Sequence, residues 1–381
     1  MQNSNANNSE KYMLPREPVY FTPEIYDQLL ELCGNNNTSD ITVQTNQEVF
    51  AEIEGKLHRV NRRKLTSQEV TDLACHIYGP NASALIASGK DIDTNYAIKR
   101  DNIVLYRFRV NITACMVGGY QGLQLTLRII KSAPPSLDSM NIPDEVRKVL
   151  NIPQGIFVVS GATGSGKSTL LSSIIADFAL QKDSNLKILT YESPIEYVYD
   201  SLNSPSCVIA QTEIPRYLPS FAAGIRNALR RKPGLILIGE ARDQETIEAV
   251  INAALTGHPV YTTVHSNGVA DTMRRMITIF PSDERDARLF DLFETVKLLI
   301  WQALVPKLDG TRTPIREYLI LSDEVREQLI QVSPDQIVTK IRELLPKYGQ
   351  TAFQDAKNKY DEGLISENTL KRFKLLDEIK N

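Results

Sequence analysis

Gly161-Ala162-Thr163-Gly164-Ser165-Gly166-Lys167-Ser168-Thr169 is the stretch on which the reading of this chain turns. It fits G-x-x-x-x-G-K-[ST], the pattern of a phosphate-binding loop, and its flanks fit as well. Ile156-Phe157-Val158-Val159-Ser160 is a short apolar, β-branched run, as a buried parallel strand requires. Leu170, Leu171, Ile174, Ile175 and Phe178 follow at the spacing of one helix side, reaching Leu180. Glycines let successive backbone N–H groups turn towards a polyphosphate where side chains would block the approach. A helix starting near Lys167 adds unpaired N–H groups and the positive end of its dipole. Lys167 brings a full charge for the phosphates, and Ser168 a hydroxyl for Mg²⁺. A glycine-rich turn that binds nothing would leave Lys167 and Ser168 in register without a reason.

Outward from the loop, strands are expected at 187–191, 235–238 and 260–264, with an edge region around Val208-Ile209. Helices are expected at 146–150, 220–230 and 245–255. Strands alternating with helices predict an open, mostly parallel sheet with helices on both faces. From about Ala270 the chain reads as mainly helical, apart from a hairpin at 308–321.

Ligands gather at the carboxyl ends of parallel strands. Leu235-Ile236-Leu237-Ile238-Gly239-Glu240 ends an apolar strand in an acid. Glu240 is placed to hold the metal through water, to polarise an attacking water, or only to cap the next helix. Glu192 ends another strand just before a Ser-Pro turn, as a second acid or a solvated turn residue. His258 and His265 bracket the 260–264 strand, and His265 at its carboxyl end is placed to sense a γ-phosphate or an acid.

Upstream, residues 1–18 are polar and Asn-rich and are expected to be disordered, with no apolar core of a leader peptide. A first α+β domain is expected over 19–130. Its helices start at Thr22-Pro23-Glu24 and Thr66-Ser67-Gln68-Glu69, with strands at 41–43, 49–53, 56–60, 91–98, 104–112 and 123–130. Lys131-Ser132-Ala133-Pro134-Pro135-Ser136 opens a linker over 131–141, and the nucleotide domain with a helical tail takes 142–381. Arg107 and Arg109 flank Phe108 on one strand, so alternation puts both on one face, and Arg128 closes another. They are either a solvated strand face or donors to a phosphoryl group, in which negative charge develops. Arg226, Arg230, Arg231 and Arg242 near the acid strand leave the same choice open.

The 381 residues are 42% hydrophobic and 23% charged, the composition of an ordinary globular protein. A net charge of −3 gives no general attraction to nucleic acid or anionic lipid. No run approaches a membrane span. Cys33, Cys75, Cys115 and Cys207 form no C-x-x-C pair, so no zinc knuckle or redox motif is expected.

In this order, the pieces resemble the secretion ATPases of type II secretion, type IV pilus and type IV secretion systems, with the retraction-motor branch nearest in layout. The family's phosphate loop, acidic box, Walker B box and histidine box resemble residues 161–169, 189–196, 236–243 and 257–265. Ser39-Asp40-Ile41, Glu54-Gly55-Lys56-Leu57 and Tyr106-Arg107-Phe108-Arg109-Val110-Asn111 resemble its opening strands and arginine strand. Ser193 stands where the family often has Asp, and Arg231-Lys232 where it often has acids. The tetracysteine module of many type II motors is missing, so no zinc is implied. These departures and the tail make the chain similar to the smaller ATPases of type IVB (Dot/Icm-type) secretion and conjugative-plasmid transfer.

The resemblance implies a RecA-like P-loop NTPase domain with a mostly parallel sheet, preceded by a smaller α+β (PAS-like) domain. It implies ATP hydrolysis with Mg²⁺ and a homohexamer in which first-domain arginines complete a site between the domains. It also implies a cytoplasmic chain recruited to inner-membrane secretion-complex proteins. A nucleic-acid motor of similar fold predicts a basic, aromatic-bearing groove, which the charge does not favour. A non-hydrolysing scaffold is disfavoured by Lys167, Ser168 and Glu240 together. A small-molecule phosphotransferase would need a second substrate lid, which the sequence does not display.

Overall fold

The computed structural model describes residues 10–36, 38–53, 55–100, 103–130, 133–200 and 202–380. The chain divides into two compact units, Met1–Ser132 and Ala133–Asn381.

The first unit is built on an antiparallel sheet of β1 (Asp40–Gln44), β2 (Phe50–Ile53), β3 (Lys56–Arg59), β4 (Ile92–Arg100), β5 (Ile103–Val117) and β6 (Tyr120–Ile130), in the order β3-β2-β1-β6-β5-β4. Helices Pro23–Asn35 and Ser67–Tyr78 share its core through Tyr26, Leu29, Val70 and Leu73. Thr66 and Glu69 close a full capping box. Thr22 occupies the N-cap position of the first helix without a side-chain cap bond, and Pro23 pre-sets the first turn instead. The strands expected at 104–112 and 123–130 run longer and meet at Gly118–Gly119. Both glycines have positive φ, as a two-residue hairpin turn demands.

Of the stretch expected to be disordered, residues 1–9 lie outside the described residues. Residues 10–18 correct the expectation. Leu14 is buried, and the Glu17 carboxylate accepts from the backbone N–H of Arg62 at 2.8 Å, so an apolar anchor and a charge-assisted bond tie this segment down.

The second unit holds β7 (Gly155–Ser160), β8 (Lys187–Glu192), β9 (Val208–Glu213), β10 (Leu235–Ile238), β11 (Pro259–Val264), β12 (Val296–Pro306), β13 (Arg312–Ile320) and β14 (Gly349–Gln350). Their order is β14-β13-β12-β7-β11-β10-β8-β9, parallel from β12 to β9 and antiparallel at β13 and β14. The sheet is covered on both faces. Phe157 and Val159 share one core with Leu170, Ile174 and Phe178 of helix Lys167–Leu180. Ile156 and Val158 share the other with Ile247, Val250 and Ile251 of helix Gln244–Leu255. Residues 133–141, expected as linker, contribute Leu137 to the first of these cores.

Strand β12 corrects the reading of everything after Ala270 as helical but for 308–321. The run Val296-Lys297-Leu298-Leu299-Ile300-Trp301 is apolar almost throughout, and periodicity alone does not separate a buried strand from a buried helix there. Pairing beside β7 buries Leu298, Leu299 and Ile300 completely. The β12–β13 hairpin is in turn covered by helices Ala352–Asp361 and Glu367–Lys380, through a small core of Val305, Ile315, Ala356 and Phe373.

Candidate functional site

The carboxyl ends of β7, β8, β10 and β11 converge on one cavity of about 340 Å³. Thr163, Lys167, Ser168, Glu192, Glu240 and His265 all line it. Thr163, Glu192, Glu240 and His265 are delivered by the end of a parallel strand or by the turn that follows, and Lys167 and Ser168 by the first turn of helix Lys167–Leu180.

Residues 161–166 form the turn between β7 and helix Lys167–Leu180. Gly161, Gly164 and Gly166 have φ of 145°, 75° and 84°, a region L side chains avoid. A Cβ on Gly161 would meet the Gln302 carbonyl at 2.3 Å. Gly166 is the helix N-cap and carries no side chain to bond the first turn, so those N–H groups are left for an anion. Ser165 Oγ is buried with no hydrogen-bond partner. Lys167 is 8% exposed, and its Nζ donates to Gly161 O at 3.0 Å and Ala162 O at 2.9 Å. Burial lowers its pKa, while Glu240 and Glu196 act in the opposite direction. A positive cradle of backbone N–H groups with a half-desolvated ammonium fits a polyphosphate.

Glu192 is buried at the end of β8. Thr190 Oγ1 and Gln211 Nε2 both donate to its Oε1, at 2.7 and 3.2 Å. Burial nonetheless pushes its carboxyl up to about 7, with Glu196 adding to the rise. Glu240 follows β10 by two residues. Its turn is pinned by Thr263 Oγ1 on Gly239 O at 2.5 Å and by Ala241 N on Thr263 O at 2.9 Å. His265 Nε2 lies 3.5 Å from Glu240 Oε1. His258, by contrast, faces its own turn, with Nδ1 3.3 Å from Ala253 O.

Among the described residues no group of three or more His, Cys, Asp or Glu gathers for a metal. Ser168 and Glu240 offer one hydroxyl and one carboxylate, the sparse protein share Mg²⁺ takes when it keeps waters and binds phosphate.

Arg107, Arg109 and Arg128 belong to the first unit, and Arg226, Arg230, Arg231 and Arg242 to the second. Phe108 and Val110 of β5 are buried, and Arg107 and Arg109 alternate with them on the other face. Arg109 pairs with Asp93 at 2.8 Å, both exposed, and exposed Arg128 pairs with half-buried Asp40 at 2.9 Å. Arg226 pairs with Glu245 at 3.0 Å.

Two site neighbours escaped the sequence reading. Gln302 on β12, 1% exposed, donates from Nε2 to Ser165 O at 2.6 Å. Arg316 on β13, 2% exposed, donates from Nε to Gln302 Oε1 at 3.2 Å. For Gln302 the signal is a polar residue inside the apolar run of β12, once that run is read as a strand, whereas Arg316 sits among Arg312, Thr313 and Glu317 and does not stand out.

Residues 22–339 match the model of the type II/IV secretion system protein family. The chain is 31% identical over 321 residues to the twitching motility protein of Neisseria gonorrhoeae, spanning 84% of this chain and 82% of that one. It superposes on the X-ray structure of the Legionella pneumophila ATPase DotB with a TM-score of 0.90 at 49% identity, covering 97% of this chain and 99% of the other. A crystal structure of the pilus retraction motor PilT with bound ADP gives a TM-score of 0.79 at 27% identity, over 91% and 96% of the two chains. No helix among the described residues is long and apolar enough to cross a membrane.

Proposed function

The chain belongs to the type II/IV secretion system protein family and is an ATPase of secretion or pilus type, and from that premise we propose that it works as a homohexamer powering a type IVB-like secretion or conjugative-transfer machine. The observation that carries the reading is the convergence of the phosphate loop, Glu192, Glu240 and His265 on one cavity. The finer assignment rests on whole-length similarity to the DotB ATPase.

In this reading residues 161–169 wrap the phosphates of ATP, with Lys167 as the charge. Ser168 and Glu240 would hold Mg²⁺, which would neutralise charge on the phosphate oxygens. Glu192, with a carboxyl balanced near neutrality, takes a proton from the attacking water, and Glu240 orders that water or the metal. His265, 3.5 Å from Glu240, reports the state of the site to the β11 end. Arg107, Arg109 and Arg128 couple nucleotide turnover to motion. The chain acts from the cytoplasm, recruited by inner-membrane secretion-complex proteins.

The test is ATPase rate against protein concentration, with light scattering on the same samples and Glu240→Gln as control. A rate per chain that rises as the mass grows towards six chains, and vanishes in the variant, supports the reading. A concentration-independent rate from a monomer overturns the hexamer. Retained activity in Glu240→Gln overturns the site.

A further inference from the structure

The phosphate loop rests on a buried polar chain that runs away from the cavity. Gln302 supports the loop from beneath. Its Nε2 bonds Ser165 O, its backbone carbonyl stands 2.3 Å from where a Gly161 Cβ would be, and its Nε2 stands 2.8 Å from a Cβ on Gly166. Gly161 is therefore required by the Gln302 backbone as well as by any phosphate, and a side chain at Gly166 would press on the Gln302 amide.

The amide of Gln302 supports the loop in only one orientation. Turned over, it would present oxygen to the Ser165 carbonyl. Arg316, the cross-strand partner of Gln302 in the β12–β13 ladder, fixes that orientation by donating to Oε1. Arg316 is held from two sides. Its Nη1 donates to Asn141 O at 2.8 Å, and its backbone N–H donates to Asp355 Oδ2 at 2.7 Å. Asp355 also provides the negative charge that favours the buried guanidinium. Asp355 stands on helix Ala352–Asp361, where Lys359 grips both its oxygens at 2.6 Å. That helix packs with Glu367–Lys380 over the same hairpin. A buried arginine in this place is expensive, and an apolar pair would fill the hairpin at less cost. We infer that Asp355, Arg316 and Gln302 form a relay through which docking of the two C-terminal helices sets the phosphate loop and hence its nucleotide affinity. Gln302 is a positioning residue, and Arg316 and Asp355 act through it. The inference rests on the loop being the nucleotide site.

The test is titration of the full-length chain with a fluorescent ADP, for wild type, Asp355→Ala, Gln302→Leu and the double variant. Amide hydrogen exchange at residues 162–166 is followed in the same proteins without nucleotide. Asp355→Ala is expected to raise Kd by about three- to tenfold and to speed exchange in the loop. The double variant is expected to bind no more weakly than Gln302→Leu alone, because both changes break one relay. Effects that multiply, or a Kd and loop exchange unmoved in Asp355→Ala, overturn the relay. Should Asp355→Ala not fold, Asp355→Asn keeps an acceptor for the Arg316 N–H while losing the charge, and the same two readouts decide. A wild type that binds no ADP sinks the nucleotide-site reading itself, a result distinct from a wild type that binds and an Asp355 variant that binds equally well.

Discussion

Thr190 Oγ1 donates a 2.7 Å hydrogen bond to Glu192 Oε1, two residues along the same strand and on the same face. Gln211 reaches the same oxygen from β9. Both bonds favour the carboxylate, yet burial outweighs them and leaves the carboxyl near 7. This group is therefore expected to change protonation within the working pH range.

The first consequence is for stability. Glu192 titrates higher in the folded chain than its ordinary value of 4.5, so folding favours its protonated form. That contribution is complete below 4.5 and is lost as pH rises through about 7. Glu192→Gln keeps an acceptor for Thr190 without the charge. Relative to wild type it is expected to gain about 2–3 kcal/mol between about pH 5 and about pH 8. Urea unfolding at the two pH values measures this. A difference between the proteins that stays constant with pH would show that Glu192 is not titrating there.

Thr190→Val deletes a bond that favours the carboxylate, so the Glu192 carboxyl moves further up. If ionised Glu192 accepts the proton in turnover, the acid limb of the ATPase pH profile shifts upward by about half to one unit. An unmoved limb would take Glu192 out of the base role and leave that role to Glu240.

How much of this could be read beforehand follows from where the chemistry sits along the chain. The loop, Glu192, Glu240 and His265 each lie within or just past one short strand, so each carries its own local signal. Gln302 and Arg316 do not. Gln302 meets Ser165 across 137 positions of sequence, through the pairing of β12 beside β7, and an apolar run gives no sign of that partner. The same run hid strand β12 itself. In the first unit, capping at Thr66 was legible because the box is four residues long. The packing of Leu14 was not, because one leucine among Lys11, Pro15, Arg16 and Glu17 reads as solvated chain.

Lys167→Gln separates the site from the fold. The ammonium is desolvated and its pKa lowered, so the charge is held at a cost that folding does not recover. The variant is expected to lose about a hundredfold or more in turnover while its thermal midpoint is unchanged or higher. Turnover within about twofold of wild type would remove Lys167 from the phosphate site.

The glycines of the loop are not equivalent, and a pair of alanine variants tests why. Gly164, at φ 75°, has open space where a Cβ would go, so Gly164→Ala meets backbone strain alone, about 1–2 kcal/mol. Gly161, at φ 145°, would drive its Cβ to 2.3 Å from the Gln302 carbonyl and 2.6 Å from Ser165 Oγ. A backbone oxygen in the middle of a buried strand has nowhere to retreat, so overpacking adds about 1–3 kcal/mol to the strain. The thermal midpoint is expected to fall by about 2–6 °C in Gly164→Ala and by about twice as much in Gly161→Ala. Equal midpoints would mean that the loop lifts off β12 freely, in which case Gln302 does not seat it.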